Sequence, residues 1–226
     1  MSVLTSAEYA LDAKEPVILP IRPVIARPSA RLKRAVDLSA SVFGLVAFSW
    51  LFLLIAVAIR LDSKGPVFYR QQRLGKDKQP FTILKFRTMV VEADALGAAL
   101  RHDGREGKLL YKDLNDPRLT RVGKWLRQTS LDELPQLVNI LRGEMSLVGP
   151  RPLPVEDTRY YADWQWGRLA VLPGLTGLWQ VSGRSKLSSD QMVKLDLYYV
   201  ESWTPMLELF IILKTFWVLV TRDGAY

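Results

Sequence analysis

Apolar and polar positions divide the chain into a few long blocks. Residues 1 to about 30 carry Pro16, Pro20, Pro23 and Pro28 with little periodicity, and read as a flexible tail. From Leu38 to Ile59 no charged residue occurs, a run of about 22 positions, the length a helix needs to cross a hydrocarbon core. The run is too long and too far from the start for a signal peptide. Arg31, Lys33 and Arg34 precede it, and Arg60, Lys64, Arg70 and Arg73 follow. A straight span would place one cationic cluster outside, against the preference for cations on the inner face. A re-entrant helix that enters and leaves on one face removes the conflict, while a single span oriented by the larger cluster also fits the charges.

After this block the period changes. Val67 to Arg70 and Phe81 to Arg87 read as two strands, and Gly75-Lys76-Asp77-Lys78-Gln79-Pro80 between them predicts a β-hairpin. Side chains alternate along a strand, so Lys85 and Arg87 share one face. They form either a solvated face or a grip for a phosphate. A short helix is expected over Glu92 to Leu100. Leu172 to Arg184 is punctuated by Gly174, Gly177 and Gly183, and reads as a structured loop carrying Trp179 and Arg184. Pro205 to Val220 is a strongly apolar helix interrupted by Glu208 and Lys214, which suits an interfacial helix with Trp203 and Trp217 at headgroup depth, or a core helix.

Candidate chemistry concentrates between these blocks. Ser130 followed by Glu133, with apolar residues at 134, 137, 138 and 141, predicts a helix that starts at Ser130 and carries Asp132 in its first turn. The positive end of a helix favours an anion there, whether a carboxylate or a phosphate oxygen. Ser-x-x-Glu is also an ordinary capping box, in which Glu133 bonds back to the backbone. The surrounding charge favours phosphate chemistry: Arg118, Arg121, Lys124 and Arg127 lead into the pair, and Arg142 and Arg151 follow.

Composition removes other chemistries. The chain has no cysteine, so thiol catalysis, cysteine metal sites and disulfides are excluded, and its one histidine, His102, falls in a polar stretch that reads as a surface loop. The net charge of +8 over 226 residues implies an acidic partner: nucleic acid, an anionic membrane or a phosphorylated substrate. The cations stand among carboxylates, which would repel a nucleic-acid backbone, and no nucleic-acid motif is present. Nucleic acid is therefore not an expected partner.

Several ordered motifs carry a resemblance. Lys85-Phe86-Arg87-Thr88-Met89, Asp116 to Gly123, Ser130 to Gln136, Gly143 to Pro152 and Pro173 to Arg184 together resemble the bacterial sugar transferases, the monotopic phosphoglycosyl transferases, over roughly residues 31 to 226. The resemblance implies transfer of a sugar 1-phosphate from a UDP-sugar to undecaprenyl phosphate with release of UMP. This is the first membrane step of exopolysaccharide or glycoconjugate synthesis, on the cytoplasmic face of the bacterial inner membrane. It implies Asp132 as the nucleophile that forms a phosphosugar-aspartyl intermediate, and Glu133 as the partner carboxylate that holds Mg²⁺. Lys85, Arg87, Arg127, Arg151 and Arg184 match phosphate- or nucleotide-binding positions. The family's membrane helix is commonly broken by Ser-Pro, whereas this chain has Ser49-Trp50. The ending Arg222 to Tyr226 resembles the exopolysaccharide branch, which points to glucose or galactose.

The expected architecture is α+β. Residues 1–30 form a tail, 31–62 a membrane-inserted, re-entrant helix, and 63–226 a compact, mostly helical catalytic domain with a small β-hairpin and interfacial amphipathic helices. With one anchor and no multi-span segment, the chain reads as a minimal form of the enzyme. Its expected partners are UDP-sugar, undecaprenyl phosphate, membrane lipid and, as a homodimer, a second copy. The competing reading is a catalytically inactive membrane scaffold of a polysaccharide assembly complex.

Overall fold

The computed structural model describes residues 30–93, 116–156, 158, 161–184 and 187–221. The expected tail over residues 1–30 therefore lies almost wholly outside the described residues, as do His102 and most of the helix expected over Glu92 to Leu100. The chain is mixed, mostly helical with small sheets, as the block pattern predicts.

The long apolar run is two helices, α1 (Ala30–Ala47) and α2 (Ser49–Asp62), bent by 61° at Phe48. No proline makes the bend. Phe48 leaves helical geometry (φ −99°, ψ 10°), and the Ser49 hydroxyl donates to the Val46 carbonyl at 2.9 Å, a side-chain bond that competes with the helix ladder. Among the described residues no single helix is long and apolar enough to cross a membrane, but the bent pair together is.

α1 is inverted relative to a soluble helix. Asp37, Ser41 and Gly44 are buried, whereas Val42, Phe43 and Val46 are exposed, Phe43 at 73%. Its polar side chains hold the body of the fold: Arg34 donates to the Ile140 and Leu141 carbonyls (2.7 and 3.1 Å), and the Leu147 amide donates to Asp37 (3.0 Å). α2 docks differently. Ile55 and Ile59 pack with Phe86 and Leu126, and Asp62 accepts from the Val122 amide at 2.9 Å.

The hairpin forms as expected, β1 (Phe68–Leu74) antiparallel to β2 (Pro80–Phe86), with Lys85 opposite Tyr69. Its first strand runs past Arg70 because one face of the hairpin stays wet and accommodates Gln72. A second pairing was not legible in the sequence: β3 (Ser146–Val148) lies parallel to β4 (Gly174–Thr176), inside the glycine-punctuated loop.

The remaining helices finish the site's frame. α3 (Arg121–Thr129) is capped by Thr120, whose hydroxyl accepts from the Gly123 amide at 2.9 Å. Its first turn sits against the backbone of Thr88 so closely that a Cβ on Gly123 would lie 1.9 Å from the Thr88 carbonyl oxygen. Gly123→Ala is expected to cost about 2 to 3 kcal/mol by forcing this helix away from the Thr88 backbone. Chemical denaturation measures it, and an unchanged midpoint would show that α3 lifts freely.

α4 (Gln136–Arg142) is locked to β2 by the buried Asn139, which accepts from the Leu84 amide (3.0 Å) and donates to the Thr82 carbonyl (2.7 Å). A 3-10 helix (Asp163–Ala170), a short α5 (Leu178–Val181), α6 (Ser189–Glu201) and α7 (Pro205–Thr221) close the body around Val148, Trp179, Leu195 and Tyr199. On α7, Leu207, Ile211 and Val218 are buried while Leu213, Phe216, Trp217 and Val220 are exposed, and Trp203 just before it is half-buried, its Nε1 donating to Glu208 at 2.8 Å.

Candidate active site

The carboxylate pair does not begin a helix. Ser130 adopts left-handed geometry (φ 56°, ψ 16°) and closes α3, its amide donating back to the Leu126 and Arg127 carbonyls. Leu131–Glu133 is then a single 3-10 turn with no side-chain cap, and α4 starts only at Gln136. The predicted capping box is thus overturned. The same Ser-x-x-Glu pattern lies where one helix ends before the next begins, and the C-cap of α3 takes Ser130.

What the turn achieves is burial of two adjacent acids, Asp132 at 4% and Glu133 at 7% exposure. They face different surroundings. Glu133 is the hub of an ion-pair cluster: Lys85 donates to its Oε1 at 3.0 Å, and the Arg151 guanidinium grips both oxygens, Nη2 to Oε1 at 2.5 Å and Nη1 to Oε2 at 3.2 Å. Such a two-pronged pair fixes geometry as well as charge. Burial works against the charge on Arg151, but Glu133, then Asp132 and Asp196, outweigh it and hold its pKa above the ordinary value.

Asp132 instead lines a cleft of about 690 Å³. Lys85, Arg87, Arg127, Arg151, Arg70 and Arg73 share the wall, and Asp132 is the one carboxylate in it among the described residues. Arg127 reaches the cleft from α3, its Nε donating to the Thr88 hydroxyl at 3.0 Å. Burial pulls its pKa down, and the charges of Asp132 and Asp116 resist that. The remaining wall is apolar, with Val67, Phe68, Met89, Val90 and Val91. A cationic cleft that also holds Asp132 and an apolar side suits a ligand that is part phosphate and part hydrocarbon.

The structure therefore brings Asp132, Lys85, Arg127 and Arg151 together and sets Glu133 behind them. Two expected residues are placed otherwise. Arg87 borders the cleft, but its guanidinium donates to the Lys64 (2.5 Å) and Ser63 (2.9 Å) carbonyls, tying the end of α2 to the sheet. It follows the last residue of β2, so the alternation that paired it with Lys85 no longer governs it. Arg184 has left-handed geometry (φ 49°), donates to the Gln180 carbonyl at 2.9 Å, and is not in the cleft wall.

Mg²⁺ fits Glu133 poorly in this arrangement, because both carboxylate oxygens already face cations. Among the described residues no cluster of three acids or histidines forms a metal cage.

Sequence reasoning missed a second buried ion pair, Arg168 with Asp196. The signal was available: in the period of α6, Asp196 falls on the face of Val193, Leu195, Tyr199 and Val200. A charge on a buried face needs a partner. Burial pushes the Asp196 carboxyl up to about 6 against the pull of Arg168. Burial also opposes the charge of Arg168, but Asp196 and the Tyr161 hydroxyl keep its pKa above the usual value.

Comparison with known proteins bears on this geometry. Residues 28–222 match the bacterial sugar transferase family. The chain is 41% identical over 220 residues to the exopolysaccharide production protein ExoY of Rhizobium meliloti (strain 1021), covering 95% of this chain and 97% of that one. It is 42% identical over 217 residues to the undecaprenyl-phosphate galactose phosphotransferase of Salmonella typhimurium, covering 94% of this chain and 45% of that protein. It is 43% identical over 198 residues to the undecaprenyl-phosphate glucose phosphotransferase of Komagataeibacter xylinus, covering 81% and 35%. The chain spans less than half the length of these two phosphotransferases and nearly all of ExoY.

Proposed function

The chain belongs to the bacterial sugar transferase family, and from that premise we propose that it moves a hexose 1-phosphate from UDP-glucose or UDP-galactose to undecaprenyl phosphate, releasing UMP. The observation that carries this reading is Asp132 as the one carboxylate, among the described residues, in a cleft walled by Lys85, Arg127 and Arg151. A soluble donor with two phosphates is drawn by the cations, and the carboxylate is already among them.

The reaction runs as two displacements. An Asp132 oxygen attacks the β-phosphorus of the donor. The bond from that phosphorus to the bridging oxygen breaks, and UMP leaves with the electron pair. The resulting acyl phosphate is then attacked by a phosphate oxygen of the lipid acceptor, which breaks the aspartyl–phosphorus bond, restores the carboxylate and gives the lipid diphosphate sugar. Little covalent assistance is needed. Arg127 and Arg151 neutralise charge on the transferred phosphoryl group, and the Glu133 carboxylate keeps Lys85 and Arg151 aimed.

The implied Mg²⁺ enters this proposal as an ion carried on the donor diphosphate, where it neutralises phosphate charge. Moving onto Glu133 would require that carboxylate to leave Lys85 or Arg151.

The lipid acceptor gives the apolar features a role. The bent pair of helices enters the cytoplasmic membrane from one face and returns to it. Support comes from its two arms: α1 grips α4 and β3 through Arg34 and Asp37, and α2 ends on α3 and the sheet through Asp62 and the carbonyls that hold Arg87. A straight span would carry its two ends to opposite sides. Val46, Phe48, Trp50, Leu53 and Leu54, around the bend, are left exposed for hydrocarbon. α2 ends four residues before Pro66, where the cleft wall begins. An acceptor headed by phosphate would reach the cleft from that side along Val67 and Phe68.

Purified protein in detergent or nanodiscs, given Mg²⁺, undecaprenyl phosphate and a panel of UDP-sugars, tests the reading. UMP release with UDP-glucose or UDP-galactose is expected. Release with neither those nor any other UDP-sugar would instead favour a scaffold.

A further inference from the structure

Arg151 lies between Pro150 and Pro152, and this position poses a mechanical problem. The parallel pairing of β3 and β4 anchors the backbone up to Pro150, where the Gly149 amide donates to Thr176 and the Gly174 amide donates to the Pro150 carbonyl, each at 2.9 Å. Pro152 has no amide hydrogen, so a strand ladder cannot simply continue through the segment. Yet the guanidinium of Arg151 must hold a two-pronged grip on Glu133 beside the cleft, and small backbone shifts are costly to such a grip.

Beyond Pro150, Arg73 donates to the Pro152 carbonyl at 3.0 Å, and the Arg151 carbonyl itself is held by Arg168. The Nη2 of Arg168 donates to the Arg151 carbonyl at 2.9 Å and also to Asp196, while Nη1 donates to the Tyr161 hydroxyl at 2.7 Å. Arg168 and Asp196 are 3% and 1% exposed. A buried ion pair is weak evidence for stability, since apolar residues of the same volume often do as well. A guanidinium can do what they cannot: it holds three oxygens at fixed angles, one of them on the backbone of the site.

We propose that Arg168, held by Asp196 and Tyr161, is a positioning residue that pins the Arg151 backbone from behind and so aims the Arg151 guanidinium at Glu133 and the donor phosphate. The catalytic part of this proposal rests on the transferase reading. The mechanical part does not. Arg168 touches no substrate itself and acts through Arg151.

The test uses the full chain with Arg168→Lys, which keeps a cation opposite Asp196 but loses the fork, and Tyr161→Phe, which removes one partner and spares the fold. Hydrogen exchange is expected to speed up about tenfold or more in the segment 146–153 of Arg168→Lys, while 205–221 keeps its protection. The kcat is expected to fall about tenfold with the donor KM changed less than about twofold, and the same substitution made in an Arg151→Lys background to cost less than about twofold more. Tyr161→Phe is expected to show the same pattern at about threefold, and decides the matter if Arg168→Lys does not fold. Unchanged exchange at 146–153, loosening spread evenly through the core, or full multiplication of the losses in the Arg151→Lys background would overturn the proposal. Should the wild type release no UMP with any donor, the transferase reading falls, and the exchange data still decide whether Arg168 pins Arg151.

Discussion

Asp132→Asn is expected to lower UMP release by about a thousandfold or more, because the amide keeps the shape of the side chain and loses the nucleophile. The same change is expected to tighten UDP binding. Asp132 is a negative charge in a wall that also holds Lys85, Arg127 and Arg151, so removing it strengthens the pull on a diphosphate. At the effective dielectric of a half-open site, one charge a few ångströms away is worth on the order of 1 kcal/mol, or about fivefold in affinity. Calorimetry with UDP alongside the turnover assay separates the two effects. If Asp132 merely shaped the turn from Leu131 to Glu133, turnover and binding would weaken together. Turnover near the wild-type level would remove the nucleophile assignment altogether.

Arg151→Lys is the second large effect. Charge is conserved, yet kcat is expected to fall about a hundredfold, because a lysine ammonium cannot reproduce the paired bonds to both Glu133 oxygens while facing the cleft. Glu133 keeps Lys85 as a partner, so the buried carboxylate is not stranded and the fold is expected to persist. Turnover with a parallel thermal melt checks this. A protein that melts early but turns over normally would make Arg151 a structural cation only.

The hairpin was legible because alternation and a turn-rich insert are local signals: Phe81 to Arg87 was expected and Pro80–Phe86 is observed. The long apolar run was legible from the absence of charge alone. Its bend was less so, since Ser49-Trp50 lacks the proline that would announce a break, and the break depends on the Ser49 hydroxyl and on how both arms dock. The Ser130–Glu133 pattern misled because a helix N-terminus and the gap after a preceding helix can share one sequence, and only the packing of α3 on Thr88 decides between them. Arg87 lines the cleft but does not share the face of Lys85, because strand alternation applies only up to Phe86, and beyond it the carbonyls of Ser63 and Lys64 take the guanidinium. The meeting of Lys85 with Glu133 links residues 48 positions apart, and that of Arg168 with Asp196 links residues 28 apart. No local pattern encodes either distance. Residue types and charge could nominate Asp132, Arg127 and Arg151, but the division of labour between Asp132 in the cleft and Glu133 behind it belongs to the fold.

The covalent step is the centre of the account, and it can be observed without the lipid. The protein is mixed with Mg²⁺ and UDP-sugar alone, and UMP release and intact mass are followed over the first turnover. A burst of UMP of about one equivalent per active site is expected, together with a mass increase of one hexose phosphate that maps to the peptide containing Asp132 and is absent from Asp132→Asn. UMP that appears only once undecaprenyl phosphate is added, with no adduct on the protein, would contradict it.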